Sequence, residues 1–102
     1  MEFLVNINIT WPMDMDPQVK EEIILDEQKH AGNLAAQGNL IRMWRVPGRR
    51  ENWGLWRAND ATHLHDIISS LPVFPYMNVQ VTPLAIHPVD PMRRELETAI
   101  SS

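Results

Sequence analysis

The chain has 102 residues, of which 44% are hydrophobic and 22% are charged, a composition typical of one small globular domain. Its formal net charge of −4 argues against a protein that binds nucleic-acid phosphates, and the absence of cysteine excludes disulfides and thiolate chemistry. It has no signal-peptide pattern and no apolar run near the ~20 residues that span a bilayer, so we expect a cytoplasmic protein that does not enter membranes.

The first half of the chain predicts a strand, a long helix and a second strand. Apolar and polar residues alternate over 2–11, as in a strand with one buried face. Asp16, followed by a proline, is a typical helix start, and Gly38 is a typical helix end. A helix is therefore expected over 17–37. A second strand is expected over 40–46.

The second half predicts a strand over 52–58, a second helix and a last strand over 77–86. Asn59-Asp60 is the expected cap of the helix, and a proline-bracketed aromatic loop at 71–76 follows it. The order strand, helix, strand, strand, helix, strand predicts an α+β, ferredoxin-like βαββαβ fold. This fold has a four-stranded antiparallel sheet with both helices on one face.

The residues after the last strand are expected to lie outside the domain. Residues 1–88 form the domain, and the polar tail 89–102 contains a weak helical run over 91–100. We expect this tail to be frayed or docked on a neighbouring subunit. Four Trp and six Met are a large apolar load for so small a core, so a partner subunit is also expected.

Glu27 interrupts the apolar face of the first predicted helix. It lies four residues after Ile23 and four before Ala31, so its side chain projects within the apolar arc. A carboxylate in that position must be paired, hydrated or protonated, and burial raises its pKa toward the range of a general acid or base. The alternative is a glutamate whose stem packs while its carboxylate reaches solvent.

Arginines and aromatic residues of the second half are candidates for binding a small anion. Five arginines fall between positions 42 and 57, and Arg45 is the candidate for a bidentate contact with a carboxylate. The alternative is a solvated sheet surface with an exposed turn. The side chains expected to line an apolar pocket, or to form plain core, are Trp53, Trp56, Phe74 and Tyr76.

The two histidines of the second helix do not predict a metal site. His63 and His65 are two residues apart, which directs their side chains to different sides of a helix, and no HExxH or cysteine pair is present. His65 flanks the apolar stripe, where it is either a proton donor or a structural residue. Glycine-rich phosphate loops and nucleophile elbows are absent, so no cofactor is expected.

Taken together, several segments of the chain resemble the muconolactone Δ-isomerase family, which includes chloromuconolactone dehalogenases. The stretch Leu-Pro-Val-Phe-Pro-Tyr-Met at 71–77 is the most specific of them, and the resemblance extends over 1–88. The other matching segments are Met13–Pro17, Asp26-Glu27, Trp44-Arg45, Gly48, Asn52, Leu64-His65 and His87-Pro88.

The resemblance implies a cofactor-free isomerase of bacterial aromatic breakdown that converts muconolactone to 3-oxoadipate enol-lactone. It implies a homo-oligomer, a decamer built of dimers, with active sites between subunits. Glu27 matches the residue that shuttles the proton, and Arg45, Asn52 and His65 match candidate groups for holding the substrate and its charge. We assign Arg45, with Arg50 as a further candidate, to hold the carboxylate, and Asn52 and His65 to position the substrate.

The chain departs from the family's usual pattern near these residues. Arg50 stands where the family usually has an aromatic residue, and Trp53 and Trp56 replace smaller aromatics. Two further functions therefore stay open. One is an enzyme of the same fold acting on a related anionic or halogenated lactone, and the other is a non-catalytic oligomer that binds small aromatic molecules.

Overall fold

The computed structural model describes residues 1–92, which form four strands and two α-helices. In chain order the elements are β1 (Glu2–Ile9), α1 (Pro17–Ala36), β2 (Leu40–Arg45), β3 (Glu51–Arg57), α2 (Ala61–Ser69) and β4 (Met77–Leu84), with a short 3-10 turn at Phe74–Tyr76. The strands lie in the order β2-β3-β1-β4, and each neighbouring pair is antiparallel. The predicted ferredoxin-like βαββαβ arrangement is confirmed.

The helices begin and end where their capping residues direct. Asp16 accepts a hydrogen bond from the backbone N–H of Gln18 at 2.8 Å, and Asp60 accepts one from His63 at 2.8 Å. After α1, Gly38 takes a φ of +86°, the left-handed conformation that glycine adopts without strain. Element ends differ from the predictions by no more than two residues.

The core lies between the two helices and one face of the sheet, called here the helix side. Phe3, Val5 and Ile7 of β1 are almost fully buried there. Their partners on β3 are Trp56, Gly54 and Asn52, so these three residues also face the helix side. From α1 and α2 the core receives the apolar residues Leu34, Leu64, Ile67 and Ile68.

The other face of the sheet, called here the outer face, carries a pair of exposed tryptophans. Trp44 and Trp53 lie directly opposite each other on β2 and β3, with 42% and 37% of their surface exposed. Trp53 also pairs with Asn6, on the outer face of β1. The expectation that Trp53 and Trp56 line one pocket is therefore wrong, because the two-residue period of β3 sends them to opposite faces.

The predicted tail reaches beyond the described part of the chain. Residues 93–102 lie outside it, so most of the predicted helical run over 91–100 and the docking of the tail stay predictions. The last strand, β4, ends at Leu84, two residues before its predicted end.

Candidate active site

A cavity of about 530 Å³ lies between α1 and the helix side of the sheet. Its volume is in the usual range for small-molecule sites. Most of its wall is apolar, formed by Ile7, Ile9, Ile24, Ala31, Met43, Leu71, Val73 and Met77. Its polar side chains come from α1, from β2 and β3 and from the turn between those strands; among them are Glu27, Gln28, Arg45, Arg49, Arg50 and Asn52.

Glu27 places a carboxylate among the apolar side chains that line this cavity. Its side chain is half-buried, and Oε2 accepts a hydrogen bond from the backbone N–H of Val73 at 3.2 Å. Burial raises the pKa of Glu27, while the bond from Val73 and the nearby His30 lower it, and burial is the largest of these effects. A carboxylate fixed at one oxygen, with a raised pKa, is suited to accept and return a proton.

Arg45 and Asn52 lie side by side on the sheet that forms the cavity floor. They are directly paired across β2 and β3, and the register places both on the helix side. Asn52 Oδ1 is buried and has no hydrogen-bond partner within residues 1–92, and the same holds for Trp56 Nε1 on the same face of β3. Buried polar atoms normally have partners, so this face of β3 is suited to hydrogen bonding with a small polar molecule.

Arg50 lies at the rim of the cavity, directly before β3, and its backbone still hydrogen-bonds to β1. Its carbonyl accepts a hydrogen bond from the N–H of Ile9 at 3.1 Å. Since Arg50 is two residues before Asn52, strand alternation places both on the helix side. The neighbouring Arg49 instead makes an ion pair with Glu51 at 3.7 Å.

His65 and Phe74 line a second cavity, of about 420 Å³, between α2 and β4. Their rings meet edge to face with centroids 6.4 Å apart. Neither residue lines the Glu27 cavity, because α2 lies near β4, at the edge of the sheet opposite β2. Within one chain, His65 is therefore not brought to the Glu27 carboxylate. Val81, which pairs with Val5 on the helix side of the sheet, also lines this second cavity and is 45% exposed.

Of the remaining predicted aromatics, Trp56 lines the Glu27 cavity and Tyr76 does not. Trp56 is fully buried, so it is a core residue that also forms part of the cavity wall. Tyr76 packs against Trp11, with ring centroids 4.9 Å apart, and Trp11 does line the cavity. The expectation that four aromatic residues line one pocket is therefore wrong. Of Trp53, Trp56, Phe74 and Tyr76, Trp56 is the one that lines the Glu27 cavity.

Trp11 and Val73 are among the residues of the site that the sequence did not predict. Trp11 follows Ile7 and Ile9 in the β1 alternation, which is a signal that could have placed it beside the cavity. Val73 contributes its backbone N–H, and no sequence pattern indicates which N–H a distant carboxylate will reach.

Two general features bear on the class of site. No group of three His, Cys, Asp or Glu side chains within residues 1–92 is arranged to hold a metal ion. In the same part of the chain, neither helix is both long enough and apolar enough to cross a membrane.

Comparisons with known proteins agree with this architecture. A family model described as muconolactone delta-isomerase matches residues 1–90. The chain is 35% identical over 88 residues to a muconolactone Δ-isomerase of Rhodococcus opacus, an alignment that covers 86% of this chain and 95% of that one. It is 36% identical over 87 residues to muconolactone Δ-isomerase 2 of Acinetobacter lwoffii, with 85% of this chain and 91% of that one covered.

A crystal structure of muconolactone isomerase superimposes on the chain with a TM-score of 0.83 at 33% identity, covering 89% of this chain and 95% of that one. A NIPSNAP domain protein from Burkholderia xenovorans, at 17% identity and a TM-score of 0.50, shares the fold alone. The family model, the relatives and the crystal structure all extend over most of the chain. The chain belongs to the muconolactone Δ-isomerase family.

Proposed function

We propose that this protein is a cofactor-free isomerase that moves a proton within muconolactone to give 3-oxoadipate enol-lactone. The observation that carries the proposal is the position of Glu27, a carboxylate with a raised pKa on the apolar wall of a cavity of substrate size. Family membership supports the same reaction. The reaction moves one proton and one double bond within a single molecule, so it needs no oxidant, reductant or second substrate.

Glu27 is the proton carrier in this proposal. Its ionised carboxylate removes the proton from the γ carbon of the unsaturated lactone, and the electrons move through the ring toward the carbonyl oxygen as a dienolate. Glu27 then returns the proton to the α carbon, and the double bond moves from the α,β to the β,γ position. One carboxylate can serve both carbons because they lie in the same ring.

Asn52 and Arg45 are proposed to orient the lactone on the cavity floor. Asn52 lines the cavity beside Arg45, and its Nδ2 amide group is suited to donate a hydrogen bond to the carbonyl oxygen, whose negative charge grows in the dienolate. Arg45 lies beside it and is suited to hold the carboxylate of the substrate's acid arm. Together they fix the ring against the helix that carries Glu27.

The test of this proposal is direct assay of the purified protein on muconolactone. We expect conversion to the enol-lactone at rates ordinary for an enzyme, followed by absorbance and by NMR of the product. A chlorinated muconolactone tested in parallel reports the dehalogenation alternative through released chloride. Binding of muconolactone without any product would contradict the proposal and support a non-catalytic binding protein.

We also propose that the chain forms a homo-oligomer, with the decamer of dimers as the form that the family resemblance implies. The outer-face pair Trp44 and Trp53 supports assembly, since exposed paired tryptophans are typical of protein interfaces. Light scattering at micromolar concentration tests this. A monomeric mass would contradict it, and dissociation of the Trp44→Glu variant would place the interface on the outer face.

A further inference from the structure

The arginines around the Glu27 cavity outnumber the single carboxylate of muconolactone. Three arginines line it: Arg45, Arg49 and Arg50. Arg49 is paired with Glu51, whose carboxylate also accepts a hydrogen bond from Asn6 at 3.0 Å. Within residues 1–92, Arg45 and Arg50 lie within 4 Å of no carboxylate, so two guanidinium groups remain for a ligand.

Glu27 does not act as the partner of either free arginine. The Glu27 carboxylate accepts a hydrogen bond from the Val73 N–H, and no ion pair within residues 1–92 joins it to Arg45 or Arg50. Arg45 lines the cavity from β2, Arg50 from the residue just before β3, and Glu27 from α1. A molecule between them meets a proton carrier on one side and two guanidinium groups on the other.

The backbone fixes the two free arginines at different places around the cavity. Arg45 lies beside Asn52 on the floor, whereas Arg50 is two residues further toward the rim on the neighbouring strand. The hydrogen bond from Ile9 to the Arg50 carbonyl holds that strand end in register. One guanidinium group can hold one carboxylate through two parallel hydrogen bonds. Two guanidinium groups at different places therefore suit a ligand with two carboxylates better than a ligand with one.

We propose that the preferred substrate is a lactone with two carboxylates, one on the acid arm held by Arg45 and a second on the ring held by Arg50. This proposal rests on the isomerase function proposed above. The second carboxylate belongs on the β ring carbon, because the γ carbon must carry the proton that leaves and the α carbon must receive it. The reaction is then the same proton transfer from the γ to the α carbon, with no group lost.

The experiment compares muconolactone with a muconolactone that carries a carboxylate on its β ring carbon, using wild type, Arg50→Met and Arg49→Met. For wild type we expect kcat/KM to be higher for the dicarboxylate. Arg50→Met should lower kcat/KM for the dicarboxylate by about 10- to 100-fold more than for muconolactone, the effect of losing one charge-assisted contact, mainly through KM. Arg49→Met is the matched control and should leave the ratio of the two within about threefold.

The outcomes separate this inference from the function on which it rests. If neither lactone is isomerised, the proposed isomerase function fails. If muconolactone is isomerised but Arg50→Met lowers both values of kcat/KM equally, or wild type prefers muconolactone, the second-carboxylate inference is overturned and the isomerase function stands. Equal loss of discrimination in Arg49→Met would also overturn it, since the effect would then be one of general charge.

Discussion

The Glu27 cavity beside α1 and the second cavity beside α2 both lie on the helix side of the sheet, and they differ in the side chains that line them. The cavity beside α1 contains Glu27, free arginines and buried polar atoms without partners. The cavity beside α2 is lined by apolar side chains around His65. Both are large enough for a small ligand, so volume does not distinguish them. The difference is that, of these two cavities, the first carries a half-buried carboxylate together with arginine side chains.

This contrast between the cavities arises because the two helices carry different side chains toward the sheet. The βαββαβ fold places a helix over each half of the sheet, and the sequence puts the carboxylate on only one of the two helices that face the core. The chemistry is therefore expected to respond strongly to changes in the α1 cavity and weakly to changes in the α2 cavity.

The largest expected effect is that of Glu27→Gln on catalysis. Glutamine keeps an oxygen that can accept the Val73 hydrogen bond, but it cannot take up a proton. We expect kcat for muconolactone to fall by about 10²- to 10⁴-fold, the range of a lost general base, with folding intact by circular dichroism. Activity within a few-fold of wild type would remove Glu27 from the mechanism and erase the contrast between the cavities.

The next largest effect is expected for Asn52→Ala. Loss of the amide removes the proposed hydrogen bond to the growing negative charge, so kcat should fall by about 10- to 100-fold, somewhat less than loss of a strong oxyanion donor costs. Asn78→Ala is the matched control, since Asn78 is exposed on the outer face of β4, away from the Glu27 cavity. Equal kcat values for Asn52→Ala and wild type would exclude this role.

A pair of glycine substitutions tests the packing of the α1 cavity. A Cβ at Gly54 would lie 2.6 Å from Nε1 of Trp56, so Gly54→Ala must displace the buried indole and should destabilise the fold by about 1–3 kcal/mol. A Cβ at Gly32, in the middle of α1, meets no atom within 4 Å. Gly32→Ala should therefore stabilise by about 0.5–1 kcal/mol.

Urea denaturation measures both free energies of unfolding. A Gly54→Ala variant as stable as wild type would mean that the Trp56 indole does not pack against Gly54. The packing of this cavity wall would then differ from that in the structure.

The smallest effect is expected for His65→Gln, in the α2 cavity. His65 contacts Phe74 edge to face and lies outside the Glu27 cavity of its own chain. We expect kcat/KM to change by less than about threefold, the size of a lost surface or packing contact. A loss comparable to that of Glu27→Gln would mean that His65 reaches an active site of another subunit, as the family resemblance implies for sites between subunits.

The fold and the carboxylate could be predicted from local patterns, whereas the grouping of the other residues could not. Strand alternation, the Asp16 and Asp60 caps and the apolar arc around Glu27 are each readable within about ten residues. The assignment of His65 depends on which edge of the sheet α2 covers, which is set by chain topology over the whole domain. Trp53 and Trp56 do not share a pocket, because the two-residue period of β3 places their side chains on opposite faces of the sheet.

The central claim is that Glu27 is the base, and the most direct measurement is its own titration. Carboxyl ¹³C NMR of the glutamates, with Glu27→Gln to assign the resonance, gives the pKa of Glu27 in the free protein. We expect that pKa to exceed the ordinary value of 4.5, because burial disfavours the charged form. Below it Glu27 is protonated and cannot accept a proton, so kcat/KM for muconolactone should fall with decreasing pH at the same pKa. An ordinary pKa for Glu27, or a fall in kcat/KM at a different pH, would contradict the account.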